Sequence, residues 1–132
     1  MGTEIERKFL LKNDAWRSLA TGTRYRQGYL NRSKECTVRI RTTDGNAYLT
    51  IKGPNIGATR IEYEYAIPGS DAKSLLDNFC EKPIIEKIRY KIDFGGRVWE
   101  VDEFLAENTG LIVAELEMES EDQYFEKPEW IG

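Results

Sequence analysis

The feature that most constrains this chain is an alternation of charged and other residues at a period of two. Near the start, Glu4, Glu6 and Lys8 occupy every second position of one segment. Side chains two positions apart in a β-strand point to the same face, so these three charges would share a face. Three charges on one face make a poor core unless other strands present matching charges to the same space.

The same alternation recurs in six further segments of the chain. Basic residues alternate with apolar ones in 38–41, 49–52 and 87–92, acidic residues do so in 99–102 and 114–119, and segment 60–65 carries both signs. An ordinary sheet, apolar inside and charged outside, would account for any one of them. Because the charges are sorted by sign, the set also fits a barrel whose interior is charged. The pattern leaves both interpretations open.

Eight segments are predicted to be β-strands because they alternate or are rich in β-branched and aromatic residues. They are 3–11, 23–30, 36–43, 47–52, 60–67, 84–93, 97–104 and 111–119. Tight turns are expected at 44–46 and 95–96, and segments 13–20 and 70–80, which open with capping residues, are predicted to be short helices. The predicted fold class is mainly β (α+β): an eight-stranded antiparallel closed barrel with a few flanking helices, which leaves no exposed edge.

Length and composition narrow the class of protein. The 132 residues are most simply one domain spanning 1–132. The 19 basic and 23 acidic residues give a net charge of -4, which argues against binding to nucleic acid or to an anionic membrane. Cys36 and Cys80 are far apart and lack metal-ligand spacing. Together with the lack of a signal peptide or bilayer-length apolar run, they favour a soluble, cytoplasmic protein.

An interior that carries both signs of charge suits a particular ligand. Buried charges persist when they are paired or when they hold a ligand. Arginine and lysine complement phosphate oxygens, while clustered carboxylates hold the divalent cations that accompany phosphates. The chain contains no histidine. Any metal is therefore expected to be a hard ion bound by oxygen, such as Mg²⁺ or Mn²⁺.

Residues 4–8, Glu-Ile-Glu-Arg-Lys, resemble the E-x-E-x-K signature of the CYTH superfamily, the triphosphate tunnel metalloenzymes. Further matching segments follow in order at 38–41, 49–53, 60–65, 86–90, 99–102 and 114–117. The chain most resembles the short bacterial inorganic triphosphatases, often labelled adenylate cyclases. The resemblance implies an eight-stranded antiparallel tunnel. Those members usually continue past a Pro-x-Trp-Leu/Ile-Gly segment, here 128–132, into a helical tail, and the present sequence ends at Gly132.

The resemblance also implies the chemistry, hydrolysis of a terminal phosphoanhydride with a divalent metal, Mg²⁺ or Mn²⁺. The implied catalytic residues are Lys8 and Glu4. Tyr29 is added as a catalytic candidate because it shares parity with Tyr25 and Gln27 and its hydroxyl could reach a phosphate or orient water; the alternative is a tyrosine of the core or rim. The implied substrate-binding residues are Lys8, Arg39, Arg41, Lys52, Lys87 and Arg89. The implied metal ligands are Glu4, Glu6, Glu115 and Glu117. Two roles stay open for three further acidic residues, which either pair with the cations or contact the metal: Glu62, Glu64 and Asp102. Glu119 is expected at the rim of the barrel.

The leading functional hypothesis is a metal-dependent triphosphatase acting on inorganic tripolyphosphate or a compact organic triphosphate. One alternative is a class IV type adenylate cyclase, which would convert ATP to cyclic AMP and pyrophosphate. Another is a non-catalytic polyphosphate-binding domain. Thiamine triphosphate is a further substrate, disfavoured because no aromatic clamp is evident. The expected binding partner is a small-molecule triphosphate, and neither nucleic acid nor a membrane is expected. The apolar side of the strands would face helices or a partner chain, so the protein could also form a homodimer.

Overall fold

The computed structural model describes residues 2–132 and consists of a closed barrel of eight antiparallel strands. The strands are β1 (Gly2–Leu10), β2 (Thr23–Arg32), β3 (Thr37–Thr43), β4 (Asn46–Lys52), β5 (Thr59–Ala66), β6 (Ile85–Phe94), β7 (Arg97–Phe104) and β8 (Ile112–Glu117). Around the barrel the order is β1-β5-β4-β3-β2-β6-β7-β8, and β8 pairs with β1 to close it. The predicted fold class is confirmed.

The two predicted tight turns close hairpins of the barrel. Asp44 and Gly45 join β3 to β4 with φ angles of 41° and 83°. Gly95 and Gly96 join β6 to β7 with φ angles of 60° and 76°. Positive φ at both central residues is the geometry whose twist matches that of the flanking strands, which explains why glycine and aspartate occupy these positions.

The apolar parity of the strands faces outward, as the barrel interpretation requires. Trp16, Trp99 and Trp130 are buried in one apolar cluster on the outer side of β6, β7 and β8. Helix α1 (Gly69–Asn78) packs over β3 and β4 through Ala72 and Leu76. Both coverings lie outside the barrel, so they leave its interior to the charged parity.

The helix predicted at 70–80 is α1, but the helix predicted at 13–20 is wrong. That segment forms only a four-residue 3₁₀ helix at Ala15–Ser18, and a second 3₁₀ helix spans Ala106–Asn108. The side chain of Asn13 accepts a hydrogen bond from the backbone N–H of Ala15 at 2.9 Å, which favours a turn. Trp16 is then fully buried against the barrel, so one turn is enough to carry the chain toward β2.

Two smaller observations complete the fold. Cys36 and Cys80 are free thiols, with Cys80 buried and Cys36 half-buried. Among the helices of residues 2–132, none has the length and apolar character that a membrane crossing requires.

Candidate active site in the barrel interior

The barrel encloses a cavity of about 860 Å³ whose wall is made of the charged parity of the strands. The cavity lies among the side chains that the sequence singled out, although they are spread over seven strands. The predicted site residues on its wall are Glu4, Glu6, Lys8, Tyr29, Arg39, Arg41, Lys52, Glu62, Glu64, Lys87, Arg89, Glu115 and Glu117. The structure therefore brings almost the whole predicted set around one space.

Two predicted site residues lie apart from this wall. Asp102 points inward from β7 but is covered by the cations that it binds, and its side chain is 1% exposed. Glu119 follows the end of β8 and is exposed, with its backbone N–H donating to the side chain of Gln123 at 2.7 Å. Asp102 thus belongs beneath the cavity wall and Glu119 outside it.

Strand register explains how carboxylates from opposite ends of the chain meet. β1 and β8 close the barrel with Glu6 opposite Glu117 and Lys8 opposite Glu115. β7 continues the row by placing Glu100 opposite Glu115. Because directly opposite residues on the same face are close neighbours, the first and last strands form one acidic wall.

The most strongly paired cations of the cavity are held by Asp102. Lys87 Nζ lies 2.7 Å from Asp102 Oδ2, and the Arg89 guanidinium donates to both carboxylate oxygens at 2.7 and 2.8 Å. Burial opposes the charge on Asp102, but the hydrogen bonds and charges of Arg89 and Lys87 outweigh it and lower its pKa. The pKa of Lys87 is lowered to about 8, mainly by burial, with Arg89 and Arg41 adding repulsion against the attraction of Asp102.

The two arginines of β3 differ from these cations because they have no carboxylate partner. In residues 2–132, no Asp or Glu oxygen lies within 4.0 Å of the Arg39 or Arg41 guanidinium. Arg39 Nε is buried without a hydrogen-bond partner, and Arg41 Nε donates to Gln27 Oε1 at 3.1 Å. Burial and the charges of Arg39 and Arg89 lower the pKa of Arg41 to about 10. Uncompensated buried cations of this kind are suited to receive an anion.

Lys52 connects the basic and acidic parts of the cavity. Its ammonium lies 2.9 and 3.0 Å from the two oxygens of Glu4 and 3.5 Å from Glu62. Burial opposes the charge on Glu4, but its hydrogen bonds with Glu62 and Lys52 lower its pKa. The pKa of Glu62 is raised by burial and by the neighbouring carboxylate of Glu4. Lys52 thus holds Glu4 in its charged form.

Glu6 and Glu115 are neighbouring carboxylates whose pKa values move in opposite directions. Burial raises the pKa of Glu6 to about 8, and the hydrogen bond and charge of Glu115 add to that rise. The pKa of Glu115 is lowered despite burial, because it accepts the hydrogen bond from Glu6 and lies near Lys8. Burial, Glu4 and Glu100 raise the pKa of Glu117. Like charges are therefore crowded on the acidic wall.

These carboxylates fit a hard divalent cation by their chemistry. Oxygen is the ligand atom that Mg²⁺ and Mn²⁺ prefer. The pKa of Glu6 is raised mainly by burial and further by Glu115 and Glu4, and a cation would offset the repulsion between these carboxylates. As the side chains stand in residues 2–132, no three acidic groups converge closely enough to ligate an ion. Glu4 is instead bonded to Lys52, and Glu6 is hydrogen-bonded to Glu115. Ion binding would replace these contacts.

Lys8 and Tyr29 lie where the cavity meets solvent. The side chain of Lys8 is 65% exposed, and its ammonium lies 4.0 Å from Glu6. Tyr29 is half-buried, and the guanidinium of Arg32 stacks 4.5 Å from its ring centre. Among residues 2–132 Lys8 has no ion pair shorter than 4.0 Å, so its ammonium can turn toward a ligand in the cavity.

Sequence reasoning left several cavity residues without a role. Arg60 donates to the backbone carbonyl of Gly53 at 2.9 Å and lies 3.4 Å from the hydroxyl of Thr37. Tyr25 and Gln27 are buried on β2, and Lys91 lies at the mouth. Their shared parity with residues already chosen, such as Arg60 with Glu62, was the signal that could have found them.

Comparison with known proteins places the chain among close relatives. The CYTH domain model matches residues 2–132. An inorganic triphosphatase of Acetivibrio thermocellus is 53% identical over 132 residues, covering 100% of this chain and 85% of the relative. An inorganic triphosphatase of Nitrosomonas europaea is 34% identical over 134 residues, covering 98% and 87%. A crystal structure of an inorganic triphosphatase superposes with a TM-score of 0.67 at 32% identity, covering 100% of this chain and 85% of that one.

Proposed function

The chain belongs to the CYTH family, and on that premise we propose that it is a metal-dependent triphosphatase that cleaves the terminal phosphoanhydride of inorganic tripolyphosphate or a similar triphosphate. Both curated relatives are named inorganic triphosphatase. The observation that carries the proposal is the division of one cavity into a wall with unpaired arginines and a wall of crowded carboxylates. The first suits a chain of phosphates, and the second suits the metal that accompanies it.

Substrate binding rests on the cations of β3, β4 and β6. Arg39 and Arg41 gain most from a phosphate, because nothing acidic neutralises them in the described structure. Lys87 and Arg89 would bind phosphate oxygens while remaining anchored to Asp102. Lys52 would bind a further oxygen beside Glu4. An anion at this wall also offsets the repulsion that Lys87, Arg89 and Arg41 exert on one another.

Glu4, Glu6, Glu115 and Glu117 would hold a divalent ion, Mg²⁺ or Mn²⁺. When bound, such an ion supplies Lewis-acid stabilisation of charge on the phosphoryl oxygens. Because the pKa of Glu6 is raised to about 8, metal binding at this carboxylate would compete with its protonation.

The reacting phosphate lies, in this proposal, at the Lys8 end of the cavity. The Lys8 ammonium stabilises the charge that develops on the transferred phosphoryl group, and its exposed position lets it follow that group. Glu4 and the Tyr29 hydroxyl accept hydrogen bonds from the attacking water and orient it in line. Glu62, Glu64 and Asp102 position other groups: Glu62 lies near Lys52, and Glu64 accepts a hydrogen bond from Thr50 at 2.9 Å.

A substrate panel tests the reaction itself. Tripolyphosphate, ATP and thiamine triphosphate, each with Mg²⁺ or Mn²⁺, are assayed for phosphate, pyrophosphate and cyclic AMP. We expect phosphate release, fastest from tripolyphosphate and dependent on the divalent ion. Release of pyrophosphate with cyclic AMP from ATP would instead establish the cyclase, and tight binding of tripolyphosphate without cleavage would establish a binding domain.

Kinetics of single variants separate catalysis from binding. Lys8→Ala and Glu4→Ala should lower kcat by about 30-fold with a smaller change in KM, because they remove contacts made mainly in the transition state. Arg39→Ala and Arg89→Ala should also raise KM, since each loses a charged hydrogen bond to phosphate, roughly 1.5–3 kcal/mol.

Controls for these variants lie on the outer surface. Arg24 pairs with Glu86 outside the barrel, and Lys73 pairs with Asp77 on α1, so Arg24→Ala and Lys73→Ala should keep wild-type kinetics. Full turnover by Lys8→Ala would remove Lys8 from the catalytic set.

A further inference from the structure

Three cations of the cavity surround a single aromatic ring. The guanidinium carbons of Arg89 and Arg41 lie 5.0 and 5.3 Å from the ring centre of Tyr25, and Lys87 Nζ lies 5.9 Å from it. Tyr25 is 7% exposed, so these contacts are largely shielded from water. The face of an aromatic ring carries negative potential and attracts cations, most strongly where water is excluded.

The cluster lacks enough carboxylate to balance it. Asp102 binds Lys87 and Arg89, while the side-chain acceptor that Arg41 uses is the neutral amide of Gln27. Glu100 reaches Arg89 at 3.3 Å from the other side. Three positive groups on one side of the cavity repel one another, and the ring of Tyr25 is the negative surface that all three share.

The position of Tyr25 in the barrel explains how one ring reaches cations from two strands. β2 lies between β3 and β6, and Tyr25 is opposite Thr43 on one side and Lys87 on the other. Arg41 comes from β3, while Lys87 and Arg89 come from β6. The ring therefore bridges two groups of phosphate-binding cations that have no direct backbone connection.

We propose that Tyr25 is a positioning residue of the triphosphate site, whose ring holds Arg41, Lys87 and Arg89 together before the substrate arrives. The inference rests on the proposed triphosphate-binding function. In this proposal the face of the ring attracts the three cations, and the hydroxyl group takes no part in holding them. A cation cluster organised in advance binds a polyanion more tightly because less side-chain freedom is lost on binding.

The test changes the aromatic ring at position 25 in three ways. Tyr25→Phe keeps the ring, Tyr25→Leu removes it, and a series with increasingly fluorinated phenylalanines at position 25 weakens the negative potential of the ring face. Tripolyphosphate binding is measured by calorimetry and hydrolysis by steady-state kinetics, with a thermal melt of every variant. The matched control is Tyr63→Leu, a half-buried tyrosine of β5 that is not on the cavity wall and has no Arg or Lys stacked on its ring in residues 2–132.

We expect Tyr25→Phe to stay within about twofold of wild type, because the ring is retained. Tyr25→Leu should raise Kd and KM about tenfold with a smaller fall in kcat, and Kd should rise stepwise along the fluorinated series without a matching fall in melting temperature. Tyr63→Leu should change Kd less than about twofold.

Three results would overturn the inference. They are a flat fluorinated series, an equal loss in Tyr25→Phe and Tyr25→Leu, and an equal loss in Tyr63→Leu. Wild-type protein that binds tripolyphosphate without cleaving it would refute the proposed hydrolysis while the binding series still decides the role of Tyr25. If wild-type protein does not bind tripolyphosphate, both the proposed function and the proposed role of Tyr25 are refuted.

Discussion

Replacing Asp102 with asparagine is expected to lower the free energy of unfolding by about 3–5 kcal/mol, the cost of removing one partner from a buried ion pair. The side chain of Asp102 is 1% exposed and accepts hydrogen bonds from Lys87 and Arg89 at 2.7–2.8 Å. Asparagine keeps the shape but leaves buried Lys87 without a carboxylate partner and buried Arg89 with only Glu100, at 3.3 Å. Urea denaturation at pH 7, followed by circular dichroism, measures the loss.

The neighbouring residue provides the control for this prediction. Glu103 forms a salt bridge to Arg17 at 3.0 Å on the outer side of the same strand, where both groups are partly exposed. Glu103→Gln should cost only about 0–1 kcal/mol, as surface pairs do. An equal cost for the two variants would contradict the special position of Asp102.

The pH dependence gives a second check on Asp102. Its pKa in the folded protein is lowered from 3.8, so its stabilising contribution is present above pH 3.8 and is lost as pH falls through the lower folded pKa. The difference between wild type and Asp102→Asn should therefore be full at neutral pH and shrink in strong acid. A difference that grows in acid would mean that Asp102 is protonated in the folded protein.

The barrel could be predicted from the sequence because local signals agreed with the global fold. The period-two alternation fixed which residues share a face, and the Asp44-Gly45 and Gly95-Gly96 turns paired neighbouring strands. Alternation alone could not say which face was inside. That depended on what covers the apolar parity, and the covering includes Trp16 and Trp130, which are distant in sequence from the strands that they protect.

The pairing of charges inside the barrel could not be predicted, because it depends on register between distant strands. Arg39 and Arg89 look alike in sequence, each within a strand of alternating basic residues. In the fold Arg89 lies opposite Asp102, whereas Arg39 lies opposite Thr50 and Tyr29. One is therefore anchored and the other is left free to bind an anion. The role inferred for Tyr25 was invisible for the same reason, since its cations come from two different strands.

The stability of the folded protein is also expected to depend on the ionisation of Glu6 in the acidic wall. Its pKa in the folded protein without metal is raised from 4.5 to about 8, mainly by burial and then by Glu115. A group whose folded pKa is raised gives stability that is complete below pH 4.5 and is lost as pH rises through about 8. The metal-free protein should therefore lose stability across this window.

Glu6→Gln is expected to remove that loss, because glutamine is uncharged at every pH and its amide can still donate a hydrogen bond to Glu115. Thermal melts in a chelator should show the variant more stable than wild type at pH 8 and close to it at pH 5. The control is Glu119→Gln, outside the cavity, which should follow wild type at both values.

Divalent metal should reverse the order of stability of wild type and Glu6→Gln at pH 8, because a cation can neutralise the carboxylate of Glu6 but finds no charged ligand in glutamine. With millimolar Mg²⁺ or Mn²⁺ at pH 8, wild type should gain stability by mass action, about 2.7 kcal/mol at one hundred times Kd, and Glu6→Gln should gain much less. Losing one carboxylate ligand should also lower triphosphatase turnover roughly 100- to 1,000-fold, since several kcal/mol of charge stabilisation depend on the ion. A wild-type protein whose melting temperature ignores both pH and metal would contradict a carboxylate metal site on this wall. Equal stabilisation of both proteins by metal would instead place the ion away from Glu6.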